Sequence, residues 1–177
     1  MSASPSALTR AQELLAREAY LADRGRWQDW LDLYLPDATF WVPAWQSENR
    51  LVTDPLTEVS ILYADSRREL EHRIWRFTSG ESAASTPLPR TSHLITNVLV
   101  HQQRADGLDV SATWLSHAYR AGESYVYSGW YEYDLVYAGA GAGPDTGADT
   151  GGALRIRAKK VVLINDRVDG YVDLYHL

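Results

Sequence analysis

Cysteine is absent from this chain of 177 residues. That excludes disulfides, thiolate ligands for an iron–sulfur cluster and a cysteine nucleophile. It also suits a reducing compartment. Long apolar runs are missing too, so no transmembrane helix is expected. The opening MSASPSALTRAQELL lacks the basic-then-apolar layout of a secretory signal, and the expectation is a cytoplasmic protein with no membrane partner. Positive charge is short as well. Lys and Arg number 17 against 23 Asp and Glu, a net charge of −6 with no basic stripe to offset it, which argues against nucleic acid. Phenylalanine occurs only twice, whereas there are seven Trp and eleven Tyr. Those two residues carry a polar tip on an apolar body and suit interfaces, cavity linings or the core of a twisted sheet.

The length fits one domain, 1–177, with residues 1–5 frayed. Its centre of organisation is WQDWLDLYLPDATFWVPAW, from Trp27 to Trp45. Trp27, Trp30, Leu31 and Tyr34 share a helical stripe that Pro36 ends, and Ala38, Phe40, Val42 and Ala44 then alternate as one face of a strand. Before it, Leu8, Ala11, Leu15, Ala19 and Ala22 predict a helix over 6–24 with Gly25 as its stop. Thr9 and Gln12 offer a capping box that would start it a turn later. Residues 46–57 read as a loop turning at Asp54-Pro55, 58–64 as a short strand, and Ser66 as the cap of a helix to about Phe77.

Residues 78–91, rich in serine and with two prolines, predict an extended connection. Long strands follow at 93–104, 108–120, 124–137 and 154–164, joined by turns at Ala105-Asp106-Gly107 and Ala121-Gly122-Glu123. The third places Tyr125, Tyr127, Tyr131, Tyr133 and Tyr137 on one face. Residues 138–152 form a flexible Gly/Ala-rich loop. The closing YVDLYHL is apolar enough to dock. Helices followed by an antiparallel meander predict an α+β fold: a curved antiparallel sheet forming a cone closed by the N-terminal helices. The Trp and Tyr count predicts that the chain fills this cone with its own aromatics.

Catalytic patterns are sparse. His72, His93, His101, His117 and His176 form no HxH, HxxxH or HExxH spacing, and the single Glu-x-x-His pair, Glu69 with His72, falls on a solvated helix face. Two DTG triplets, at 145–147 and 149–151, lie four residues apart in low-complexity sequence, unlike the separated turns of an aspartic protease. The glycines there precede no helix and make no phosphate cradle. Ser92 and His93 are adjacent in a strand and point to opposite faces. What survives is proton transfer inside the cone, with Asp37, Tyr34, His93 and His117 as candidates. A stand-alone lyase or isomerase, and a small-molecule binding module without chemistry, therefore stay open as alternatives.

Leu33-Tyr34 with Asp37-Ala38, Asp54-Pro55, the run Ala83-Ala84-Ser85-Thr86-Pro87-Leu88-Pro89-Arg90-Thr91-Ser92-His93 with Asn97-Val98, Leu163-Ile164-Asn165-Asp166 and Tyr175-His176 carry a resemblance over nearly the whole chain. It resembles the small (beta) subunit of bacterial aromatic-ring-hydroxylating dioxygenases, in the branch acting on benzoate, toluate and anthranilate. Two departures are Arg68-Glu69-Leu70-Glu71-His72-Arg73, where relatives tend to have Arg-x-Gly-Leu-Glu-Asp-Arg, and the long insertion at 138–152.

The resemblance implies a fold like nuclear transport factor 2. It also implies a hexamer of three large (alpha) and three small subunits, the small ones associating as a trimer. A Rieske 2Fe-2S cluster and a mononuclear iron would lie in the large subunit, fed with NADH electrons by a reductase. It implies no catalytic, cofactor-binding or metal-binding residue in this chain. That agrees with a sequence lacking the two thiolates a Rieske cluster needs. Its work would then be contact with neighbours, for which Trp41, Trp45, Arg90, His93, Trp130 and Tyr175 are the candidate anchors.

Overall fold

Ser6 starts the first helix. In the computed structural model, which describes residues 5–138, 153–165 and 172–177, its side-chain oxygen accepts the Thr9 N–H at 3.1 Å and caps α1 (Ala7–Asp23). The later start at Thr9 is therefore not used. Gly25, at φ +63°, turns the chain out of the helix. α1 buries Ala11, Leu14, Leu15, Leu21 and Ala22, with Glu18 among them, while Leu8 at the stripe's end is exposed.

The next helix is shorter than its apolar spacing predicts. α2 covers Trp27–Leu31, and Tyr34 already belongs to strand β1 (Tyr34–Pro43). Pro36 interrupts pairing in the strand instead of ending the helix. The ladder to the neighbouring strand skips from Tyr34 to Thr39, so no donor is required of the proline. Ala38, Phe40 and Val42 face the core as the alternation requires. The stretch read as a loop contains a small hairpin of β2 (Trp45–Ser47) and β3 (Arg50–Leu51).

β4 (Ser60–Ala64) and α3 (Arg67–Thr78) follow. Ser66 caps α3 with no side-chain bond, and the Glu69 carboxylate accepts the Asp65 N–H at 3.2 Å. After a 3-10 turn at Ala83–Ser85 come β5 (Arg90–Gln103), β6 (Gly107–Arg120), β7 (Glu123–Tyr137) and β8 (Leu154–Leu163). The flexible loop expected at 138–152 lies, apart from Ala138, outside the described residues, as do 1–4 of the frayed terminus.

Six strands form one sheet in the order β4-β1-β8-β7-β6-β5. β5 to β8 are the antiparallel meander. The sheet is antiparallel as expected in its other described pairings, while β1, tied to the meander by no hairpin, adds to the free edge of β8 in parallel. Register shifts in β5 and between β7 and β8 bend the sheet, which keeps two edges and does not close. At Gly129 the β7 and β8 backbones approach so closely that a side chain would strike the Val162 carbonyl. α1 lies across the concave side near β5, and α3 against β1.

Candidate functional site

The concave interior is filled by the chain itself. Trp30, Tyr34, Phe40, Trp114 and Tyr131 are fully buried there, Trp114 stacked on Tyr131 with centroids 5.1 Å apart. One ionic group sits among them. Glu18 accepts hydrogen bonds from the Tyr34 hydroxyl, from the Tyr133 hydroxyl at 2.7 Å and from Lys159 Nζ at 2.9 Å. Both members of the Glu18–Lys159 pair are 2% exposed. Lys159 also lies 4.2 Å from the Tyr131 ring centre, so the ammonium is held by a carboxylate and a π-face together. Burial pulls Lys159 below its usual value, with Glu18 opposing. Burial, reinforced by the Glu18 charge, raises Tyr34 and Tyr133 far above theirs, so both phenols stay donors.

A second pair lies a turn further along α1. Asp23 accepts from the His93 N–H at 3.0 Å and from the Thr91 hydroxyl at 2.9 Å, and meets His93 Nδ1 at 2.6 Å. Burial works to raise the Asp23 carboxyl, and the hydrogen bonds from His93 outweigh it and hold the pKa below the ordinary value. The His93 side chain is 2% exposed, and its Nε2 has no partner. The cavity beside it, lined by Glu18, Trp30, His93, Tyr131, Lys159 and Leu177, measures about 10 Å³. A ligand site needs about 300 Å³ or more. The space accommodates about one water.

The four side chains named for proton transfer are not brought together. Tyr34 is spent on Glu18, Asp37 is exposed at the bulged start of β1, and His117 points outward to Ser124. Among the described residues no group of three His, Asp or Glu converges to hold a metal ion.

The named contact residues divide between the two faces. Trp41 is half-buried, donating to Ser60 Oγ at 2.8 Å beneath Lys160, and Trp45 donates to the Leu163 carbonyl at 2.6 Å. Trp130, on the convex face, donates to Glu132 at 3.1 Å, and Arg90 lies exposed over the Tyr119 ring. His93 faces inward. Tyr175 is 3% exposed, with its ring against Phe77 and its hydroxyl 3.3 Å from Ser85, inside this chain's own core.

Two interior residues escaped the sequence reading. Glu18 sits where an apolar residue belongs on the stripe between Leu15 and Ala22, a legible signal. Lys159 was hidden by parity. Strict alternation from Leu154 and Ile156 sends it outward with Arg155 and Arg157, but the register shift opposite Asp134 and Leu135 turns the strand over and brings Lys159 inward.

An open, curved sheet wrapped on N-terminal helices is the architecture of one family of oxygenase components. The family model for the ring hydroxylating beta subunit matches residues 17–170, and the chain belongs to that family. Benzoate 1,2-dioxygenase subunit beta of Acinetobacter baylyi is 33% identical over 172 residues, covering 96% of this chain and 94% of that one. The 2-halobenzoate 1,2-dioxygenase small subunit of Burkholderia cepacia is 37% identical over 161 residues, 91% of this chain and 90% of its own length. The crystal structure of the benzoate 1,2-dioxygenase beta subunit from Burkholderia mallei superposes with a TM-score of 0.73 at 32% identity, over the full length of both chains.

Proposed function

We propose that this chain is the non-catalytic structural small subunit of a heteromeric Rieske-type dioxygenase that cis-dihydroxylates an aromatic carboxylate of the benzoate type. The observation that carries this reading is the filled interior: Glu18 is shared among three donors and the adjoining space holds one water at most. A carboxylate already saturated, in a core with no room for a ring, is a packing element.

The residues present do not fit the family's cofactors. A Rieske cluster needs two thiolates, and the chain has no cysteine. The 2Fe-2S cluster and the mononuclear iron therefore belong to the large (alpha) subunit, with NADH electrons reaching it through a reductase. This chain's part is to associate as the trimeric base of an alpha3beta3 hexamer in the cytoplasm and to hold the large subunits on it. Arg90, on its exposed stem, and the convex-face tryptophans Trp41 and Trp130 supply contacts for that assembly.

Co-expression with the large subunit tests it. Both chains should copurify and oxidise benzoate when reductase is added, whereas this chain alone should turn over nothing. Arg90→Ala should weaken copurification while the chain stays folded, and an unaltered complex would remove Arg90 from the interface.

A further inference from the structure

The Asp54-Pro55 turn is built to hold apolar side chains in water. Leu56 is 80% exposed and Val59 77%. Beneath them the loop is fastened by two carboxylates. Glu58 accepts the Thr53 and Asp54 N–H groups at 2.6 and 3.1 Å and pairs with Arg50 at 2.9 Å. Asp54 accepts the Leu56 N–H at 2.9 Å and the Thr57 hydroxyl at 2.7 Å. A flexible loop would fold its leucine and valine back onto the protein. This one spends its polar groups on a fixed shape that displays both, which lowers the ordering cost of binding.

The same chain carries a matching recess. On the convex face, a groove of about 640 Å³ runs between Trp41 and Trp130, with Ser111 and Lys160 along it and the carboxylates of Asp109, Glu132 and Asp134 at its polar side. Trp41 is hydrogen-bonded to Ser60, the residue that follows Val59, so protrusion and groove are neighbours on one surface. The convex face beyond the groove exposes Leu94, Leu99, Leu115 and Val126. Strands β5–β7 have 14, 14 and 15 residues. At about 3.3 Å per residue and about 4.8 Å per strand their face spans roughly 700 Å². That is close to the roughly 800 Å² each partner commits in a stable complex.

We infer that Leu56 and Val59 insert into the Trp41–Trp130 groove of a second copy of this chain. Two different patches meet, so the contact is head-to-tail, and in the trimer proposed above it closes as a ring of three. The inference rests on the self-association proposed above and names the surfaces that make it.

Sedimentation velocity on the full chain tests it. The unmodified chain should sediment as a trimer. Leu56→Asp with Val59→Asp, at positions the fold does not bury, should keep the circular dichroism spectrum and raise the dissociation constant at least about 100-fold, to monomer. Ser111→Arg, which fills the groove, should do the same. Mixing the two monomeric variants restores one intact protrusion and one intact groove, so a 1:1 dimer and nothing larger should form. A trimer that survives Leu56→Asp with Val59→Asp overturns the inference, including the case in which copurification with the large subunit is lost instead, since the loop then serves that partner. Two monomeric variants that do not combine overturn it as well. An unmodified chain that stays monomeric strikes the self-association reading itself, a distinct failure.

Discussion

The two faces of the sheet solve opposite problems with the same residue types. On the concave face, tyrosines and tryptophans pack around Glu18 and Lys159, and Tyr34 and Tyr133 commit their hydroxyls to the Glu18 carboxylate. On the convex face, Trp130 and Lys160 satisfy their polar tips against Glu132 and leave flat surfaces to solvent beside Leu94, Leu115 and Val126. Alternation along each strand puts the two sets on opposite sides. The lesson is that the aromatics of the concave face mark no ligand pocket among the described residues: they are spent on stability, while those of the convex face are available for contact.

Breaking the interior should have the largest effect. Glu18→Ala leaves Lys159 buried without its counter-charge and should cost about 3–5 kcal/mol in urea unfolding. Replacing both partners, Glu18→Leu with Lys159→Met, should recover only part of that loss: the desolvation cost leaves with the charges, but the buried Tyr34 and Tyr133 hydroxyls lose their acceptor. Next comes the tail: Leu177→Ala, which enlarges the small cavity beside His93, should cost about 2–5 kcal/mol by the same measurement.

A smaller effect is pH-dependent. Burial lowers His176 from 6.5 to about 4, so the folded state resists protonating a ring that the unfolded chain protonates readily. Between those values the unfolded state binds more protons, and stability should fall as pH drops from 6.5 to about 4. Melting temperature against pH should show that slope, and His176→Phe should flatten it. The smallest stability effect belongs to the convex face. Leu94→Ser and Val126→Ser should change unfolding free energy by no more than about 0.5 kcal/mol. They should weaken assembly all the same, and this dissociation of stability from association separates the two faces most sharply.

Much of this was legible beforehand. The helix ending at Gly25, the tyrosine face of β7 and the order of helices before strands followed from periodicity and turn residues, while composition favoured a filled cone over an open one without deciding between them. Three things were not. Pro36 reads as a helix stop in one dimension, yet a strand with a gap in its ladder tolerates it equally well. The parallel pairing of β1 with β8 joins residues more than a hundred positions apart, which no local pattern encodes. The inward turn of Lys159 depends on a register shift at Arg157 of β8, where β7 passes from Asp134 to Leu135, visible only once the two strands are paired. Tyr175, placed among contact residues because aromatics anchor interfaces, is instead buried by a tail that docks on its own chain.

The claim that matters most is that this chain supports catalysis from outside and contributes no reacting group from within. The direct measurement is the rate of benzoate oxidation per assembled complex when His93, whose unpartnered Nε2 makes it the best internal candidate for acid–base work, is changed to Gln. The rate per complex should equal that of the unmodified enzyme even if less complex forms. A fall of about 100-fold or more with assembly intact, the size expected for losing a general acid or base, would contradict the account.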